Sequence, residues 1–294
     1  MMPFPKAVSV VMRSFNEAWA IGETMKQLFA QDYEGEIELI VIDSGSTDGS
    51  IEIIQNTGRA KLIQIAPGTY VPGVVLNRGA REASHDWIVY LNADATPVGR
   101  NWLTELIKPC LENPRFGAAF SRQVPRPDCQ AVFAHDYARC FGPDRESKHW
   151  EHFFSMVSSV THRSVIDQVP IREDLQYAED DEWTRRLTAS GFEILYAIES
   201  VAMHSHNYTL RQSYKRSFGD AKAMAATSTT LPRNVNYHYF VLLGLFKDAI
   251  RDSKWCLMNH QITGIPYAVA VRLAQRLGRR DGHHAGWEFY RRDS

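Results

Sequence analysis

Four short apolar runs, each ending on a polar residue, set what the first hundred positions can fold into. Ala7-Val8-Ser9-Val10-Val11-Met12, Ile37 to Ile42, Lys61 to Ile65 and Trp87 to Leu91 are largely aliphatic or β-branched. Runs of this length fit strands buried on both faces. Helical patterns lie between them. Ile21, Met25, Leu28 and Phe29 share one face; Ile51, Ile53 and Ile54 form the next; Val74 to Ala83 form a third. Strands alternating with helices call for a parallel sheet with right-handed crossovers, an α/β fold.

The residues just past each strand matter more than the strands themselves. Open α/β sheets bind ligands outside the carboxyl ends of their strands. Phe15-Asn16-Glu17 comes after the first run, Asp43 after the second, and Asn92-Ala93-Asp94 after the fourth. Three loops therefore deliver an aromatic ring and carboxylates to one crevice. Ser46-Thr47-Asp48 reads as loop and capping chemistry. Asp43 is read as more than a turn residue, because a wholly apolar strand aims it at the sheet edge. There is no GxGxxG after the first strand and no GxxxxGK[ST], so dinucleotide and P-loop readings lack their phosphate cradle.

Bulk properties exclude several classes. The 294 residues carry a formal net charge of -1, which gives no global attraction to nucleic acid. Cys110, Cys129, Cys140 and Cys256 are scattered without a CxxC pair. They read as thiols of a reducing compartment, not as a disulfide framework. Met1 to Lys6 runs straight into a strand with no signal-peptide core. No run of about 18 apolar residues is present, so a spanning helix is not expected. The expectation is a cytoplasmic protein, with attachment to the inner face of the cell membrane left open.

Later in the chain, Glu179-Asp180-Asp181-Glu182 precedes a helical pattern through Trp183 and Leu187. Carboxylates favour the positive end of a helix, which accounts for the helix start. A strand ending in Met203-His204-Ser205-His206 comes next, and a carboxylate beside a His pair suits a general base near a metal. Residues 124–152, with Pro125, Pro127, Arg122, Arg126, Arg139 and Arg145 in or beside them, read as irregular: an acceptor-side lid or a solvated insertion. Phe153 to Thr161 reads as a strand. Residues 219–294 read as a separate helical extension, with Tyr239 to Phe246 strongly apolar and Pro266 to Leu277 amphipathic before Arg279 and Arg280. Packing, self-association and a membrane surface all suit such a pattern.

Val8 to Met12, Ser14-Phe15-Asn16-Glu17 and Val41 to Asp48, then Leu76 to Arg81, Leu91 to Ala95 and Glu179-Asp180, resemble in order and spacing the family 2 glycosyltransferases of the GT-A fold. Glu-Asp-x-x-Trp followed by His204-Ser205-His206-Asn207-Tyr208 resembles the rhamnosyltransferase-type branch. The resemblance spans roughly residues 7–218. It implies a GT-A-type three-layer sandwich with a mostly parallel central sheet over 1–218, plus the C-terminal helical extension over 219–294.

It also implies a nucleotide-sugar donor, UDP- or dTDP-linked, and a glycan or lipid-linked acceptor. Phe15 and Glu17 would contact base and ribose, and Asp43 the base. Arg13 stands where the family usually has Pro and belongs to the same pocket, as do Asn77, Arg81 and Asn92. The family's Asp-x-Asp stands here as Asn92-Ala93-Asp94, with the first carboxylate missing. Asp94 and His204 would hold Mn2+ or Mg2+, the imidazole favouring Mn2+. Asp180 would be the catalytic base of an inverting transfer. Glu179, Trp183 and His206 would lie on the acceptor side. No Gln-x-x-Arg-Trp signature follows Arg211 to Arg216, so a single transfer, in bacterial polysaccharide or glycoconjugate assembly, is expected. The competing readings are a non-catalytic nucleotide-sugar-binding module, kept open by Asn92, and a sugar nucleotidyltransferase, which would want a Gly-rich basic loop where Arg13-Ser14-Phe15-Asn16 stands.

Overall fold

The first apolar run becomes β1 (Ala7–Ser14), with Val8, Val10, Val11 and Met12 wholly buried. This computed structural model describes residues 3–150, 152–227, 236 and 238–293, with side chains through 288. Positions 228–235 of the expected extension lie outside the described residues. After β1 come α1 (Ile21–Phe29), β2 (Glu36–Asp43), α2 (Ser50–Asn56), β3 (Ala60–Gln64), α3 (Pro72–Glu82) and β4 (Trp87–Asn92). The expected alternation is present element for element. Next in the chain are β5 (Thr96–Pro97), α4 (Trp102–Glu112), β6 (Phe116–Val124), α5 (Ala131–Phe141), β7 (Ser158–His162), α6 (Arg163–Gln168), α7 (Glu179–Ala189) and β8 (Glu193–Met203). Three longer helices finish the chain: α8 (Leu210–Thr227), α9 (Gly244–Met258) and α10 (Ile265–Asp293).

The chain divides into two units, described separately. The first takes in Met1–Val124, Phe141–Asp174 and Glu179–His204. All eight strands belong to it, in the order β3-β2-β1-β4-β7-β6-β8-β5. β1 pairs in parallel with β2 and β4, β2 with β3, and β6 with β8. β7 runs antiparallel to both β4 and β6, and β5 antiparallel to β8. The sheet is mostly parallel.

Helices cover both of its faces. Val10 and Met12 cluster with Ile21, Met25 and Leu28 of α1 and with Trp102, Leu103 and Leu106 of α4. Val11, of opposite parity, meets α3. A Cβ on Gly79 of α3 would sit 2.2 Å from a Val11 methyl, so only glycine lets this helix approach so closely. Three layers result, as expected for a sheet buried on both faces.

The second unit takes in Pro125–Cys140, Leu175–Ala178 and Ser205–Ser294. On α10, Gly278, Gly282 and Gly286 recur every four residues. A Cβ at each would fall within 2.4 Å of a backbone oxygen of α8, those of Tyr214, Phe218 and Lys222. This bare stripe lets the two helix backbones touch. The expected boundary at 218/219 falls inside the continuous helix α8.

Two local expectations are corrected. Residues 124–152 are not irregular, because α5 occupies Ala131–Phe141 and a short 3-10 turn occupies Glu146–His149. The flanking prolines hid a short helix whose Val132 and Phe133 pack on Ala268 and Val271. The strand expected over Phe153 to Thr161 begins only at Ser158. Phe153 and Phe154 instead set their rings against Phe120, at 5.7 and 5.6 Å between centroids.

Candidate active site

The carboxyl ends of β1, β2 and β4 lie side by side. Ser14 is in register with Asp43, and Arg13 with Asn92. The parallel register thereby sets the polar residues beyond three strands along one sheet edge.

Arg13 is the hub of this edge. Its Nε and Nη2 donate to Asn92 Oδ1 at 3.2 and 2.8 Å. Its Nη1 donates to the Tyr70 hydroxyl at 3.2 Å and reaches Glu179 Oε1 at 3.5 Å. Burial works against the guanidinium charge, but Tyr70, Glu179 and Asp180 more than restore it and hold the pKa above its ordinary value. Positions 13, 92, 179 and 180 are thus brought together from strands and helix far apart in sequence.

The acidic run divides its labour along α7. Asp181 pairs with Arg185 at 2.8 Å and Glu182 with Arg186 at 2.7 Å, one turn on. Asp180 and Glu179 remain in the first turn, beside Arg13, and Asp180 Oδ1 accepts from the Asp181 amide. Ala178, immediately before the helix, has φ 56°, a left-handed conformation that costs a β-carbon residue about 1–3 kcal/mol. Trp183 is fully buried. Its Nε1 donates to the Val169 carbonyl at 2.7 Å, and its ring meets Phe154. It fastens α7 to the core, and its indole has no surface to offer a ligand.

Asp94 and His204 form a second pair. His204 Nε2 lies 3.5 Å from Asp94 Oδ2, and both residues are buried. His204 Nδ1 faces Gln123 Oε1 at 3.0 Å. Gln123 Nε2 donates to Ser155 Oγ at 2.7 Å. In the tautomer with the proton on Nδ1, that nitrogen donates to Gln123 Oε1 and Nε2 faces Asp94. A neutral imidazole with its other nitrogen anchored is what a metal ligand needs. His206 follows two positions along the chain, in the second unit.

The remaining expected residues divide between surface and support. Phe15 is exposed in the loop after β1, and so is Trp19, to which no motif pointed. Asn16 has φ 55°, and its Oδ1 accepts from the Thr47 amide, tying this loop to the one after β2. Glu17 donates its amide to Ser50 Oγ. Asp43 is wholly buried, and its carboxylate accepts from the Gly45 amide, the Ser46 amide and Ser46 Oγ at 3.0, 2.8 and 2.6 Å. It shapes the loop Ser44 to Thr47. Asp48 accepts from the Ala18 and Ser50 amides, local turn chemistry just before α2, whose N-cap Gly49 offers no side chain.

Asn77 is buried and clasps residue 171, donating to its carbonyl at 2.7 Å and accepting from its amide at 3.2 Å. Arg81 is exposed and pairs with Glu173 at 3.6 Å. Tyr70 and Gln123 joined the site unannounced: neither stands in a motif, and only the fold brings them in.

The family model for Glycosyl transferase family 2 matches residues 9–169, more than half of the chain, and ends before α7, β8, α8, α9 and α10. The chain belongs to this glycosyltransferase family. Over most of its length it is similar to the O-antigen chain rhamnosyltransferase WbaN of Salmonella anatum, 26% identical and covering 94% of this chain and 89% of that protein. RfbN of Salmonella typhimurium, also an O-antigen chain rhamnosyltransferase, is 26% identical, covering 84% of this chain and 80% of its own. Among solved structures, the mannosyltransferase PcManGT of Pyrobaculum calidifontis, in complex with GDP-Man and Mn2+, superposes with a TM-score of 0.60 at 20% identity, covering 91% of this chain and 86% of that one. The glucosyl-3-phosphoglycerate synthase of Mycobacterium tuberculosis superposes at 0.53, with 18% identity, covering 75% of this chain and 78% of that one. The fold of this glycosyltransferase is therefore that of GT-A enzymes.

Proposed function

We propose that this family 2 glycosyltransferase is an inverting, metal-dependent enzyme that passes one sugar from a nucleotide-sugar to an acceptor hydroxyl of a growing glycan or lipid-linked glycan. The observation that carries the reading is the Asp94–His204 pair, a buried carboxylate 3.5 Å from an imidazole nitrogen whose partner nitrogen faces Gln123. The donor set, one carboxylate with an imidazole, suits Mn2+ better than Mg2+. Such an ion supplies Lewis-acid neutralisation of the leaving diphosphate when bound. His206 serves as a further ligand or turns toward the acceptor.

The protein's own groups do the rest. Arg13 adds a fixed positive charge beside Asn92, where a second carboxylate is missing, and so favours the diphosphate. Phe15 and Trp19 stack on or flank the base, Glu17 meets the ribose, and the Asp43-shaped loop closes over them. Arg81 is a peripheral charge on the nucleotide side, while Asn77 and Trp183 hold the elements that carry the site. Asp180, at the start of α7, takes the proton from the acceptor hydroxyl as its oxygen attacks the anomeric carbon. Attack opposite the departing nucleoside diphosphate inverts that carbon. Glu179, held by Arg13, orients the acceptor side.

The test is nucleotide release with a panel of UDP-, dTDP- and GDP-sugars, with and without Mn2+, in the full chain. Asp180→Asn is expected to lose about 10²–10⁴-fold in turnover with donor binding retained. Full turnover in that variant rejects the base assignment, and product NMR showing retained configuration rejects inversion. A nucleotide-sugar-binding module without turnover is the second reading, favoured by Asn92, whose oxygen is already engaged by Arg13. Tight donor binding with no release under any acceptor would establish it. A sugar nucleotidyltransferase is set aside by the family.

A further inference from the structure

The segment from the π-helical turn His238–Leu243 through α9 is amphipathic in the wrong sense for a helix facing water. A surface helix turns its apolar side inward and its charges out. Here the residues of α9 turned inward are Asp248, Asp252 and Cys256. Arg276 Nε donates to Asp248 at 2.6 Å, and Arg272 Nε donates to Asp252 at 2.6 Å. His135 Nδ1 lies 2.8 Å from the same Asp252 carboxylate. The inner face is therefore ionic.

The outer face is apolar. Tyr239, Leu242, Phe246, Ile250, Leu257 and Met258 are between 50% and 70% exposed. At 100° per residue, most of them fall on one flank of the helix. A contiguous apolar row of this size marks a surface that meets something other than water. Lys247 and Lys254 are exposed along the same flank. The only acids between 238 and 258 are Asp248 and Asp252, both buried. The outward charge is purely cationic.

We infer that this flank lies on the surface of an anionic lipid bilayer, with the apolar row in the acyl boundary and the two lysines reaching the phosphate headgroups. Long lysine stems bury along apolar surface while their ammonium groups stay polar, which suits this spacing. A second copy fits less well, because a two-fold contact sets the same patch against itself and brings lysine to lysine with no acid to pair. No described helix is long and apolar enough to cross a membrane, so the contact is a surface one. The charges of Arg272 and Arg276 on α10 are spent inside, on Asp252 and Asp248. The lipid-facing element is α9 rather than the amphipathic start of α10. The inference does not depend on which sugar or acceptor the enzyme uses.

The test is flotation of the full chain with vesicles of phosphatidylcholine alone and of phosphatidylcholine mixed with phosphatidylglycerol. Binding is expected on the anionic vesicles and weaker by roughly tenfold or more on the neutral ones. Phe246→Ser/Ile250→Ser/Leu257→Ser together is expected to abolish flotation on both, with an unchanged circular-dichroism melt. Lys247→Glu/Lys254→Glu is expected to lose binding on the anionic vesicles alone. Absence of flotation by the unaltered chain overturns the inference. So does equal binding to both vesicle types, or a dimer in light scattering that the serine variant dissolves while vesicles bind neither protein.

Discussion

Two buried arginines show how differently the two units use the same group. Arg272 of the second unit is enclosed by full counter-charge: Asp136 accepts from Nη1 and Nη2 at 2.8 Å each, and Asp252 from Nε at 2.6 Å. Burial opposes its charge, yet the two aspartates push its pKa well above the ordinary value. Arg13 of the first unit, its side chain 14% exposed against 5% for Arg272, meets a neutral amide, a phenol and one carboxylate at 3.5 Å. A guanidinium that matches planar carboxylates or phosphates two at a time is saturated in the first case and under-neutralised in the second. The difference separates a charge that holds helices together from one that is held ready for an anion.

The largest expected effect falls on the saturated arginine. Arg272→Ala takes the central guanidinium from the buried Asp252 and the partly buried Asp136 and is expected to cost about 3–5 kcal/mol in stability, read by thermal or urea unfolding. Arg13→Met is expected to weaken donor binding by roughly 1.5–3 kcal/mol, the worth of hydrogen bonds to a charged group, while the melting temperature falls far less. Calorimetric titration with nucleotide-sugar reads the first and thermal unfolding the second. Equal loss of stability in both variants would erase the comparison. Next comes Gln123→Leu, which removes the partner of His204 Nδ1 and is expected to weaken Mn2+ binding about 10–100-fold, seen by paramagnetic resonance titration.

The smallest effect is one of pH. Burial raises the Asp252 pKa, but the hydrogen bonds from His135 and Arg272 and the charges of Arg272 and Arg251 outweigh it and hold the carboxyl well below the usual range. A depressed carboxyl stabilises the fold fully above its unfolded value, near 3.9, and loses that contribution as pH falls toward the folded value. The melting temperature is therefore expected to decline below about pH 4 more steeply in the unaltered chain than in Asp252→Asn. Parallel decline would place the acid-sensitive carboxylates elsewhere.

Much of the first unit was legible in the chain because its information is local. Apolar runs specify strands buried on both faces, and a parallel register then fixes which polar residues share an edge. Phe15, Asp43, Asn92 and Asp94 could be placed along one edge for that reason, whereas Glu179, Asp180 and His204 were named from the family resemblance. Asp43 and Asn77 look identical in sequence to ligand-binding residues. Both also bind backbone groups, at Gly45, Ser46 and Ile171, contacts that no motif in the sequence announces.

The sequence by itself determined the α/β alternation, the family and the chemical types gathered at the strand ends, since periodicity and motif spacing are properties of neighbours along the chain. The tertiary structure decided what each polar group faces: Gln123 behind His204, Tyr70 beside Arg13, and Arg272 and Arg276 turned in against α9. Those pairings join residues tens of positions apart, and the direction of a helix face depends on what packs beneath it, which no local pattern encodes.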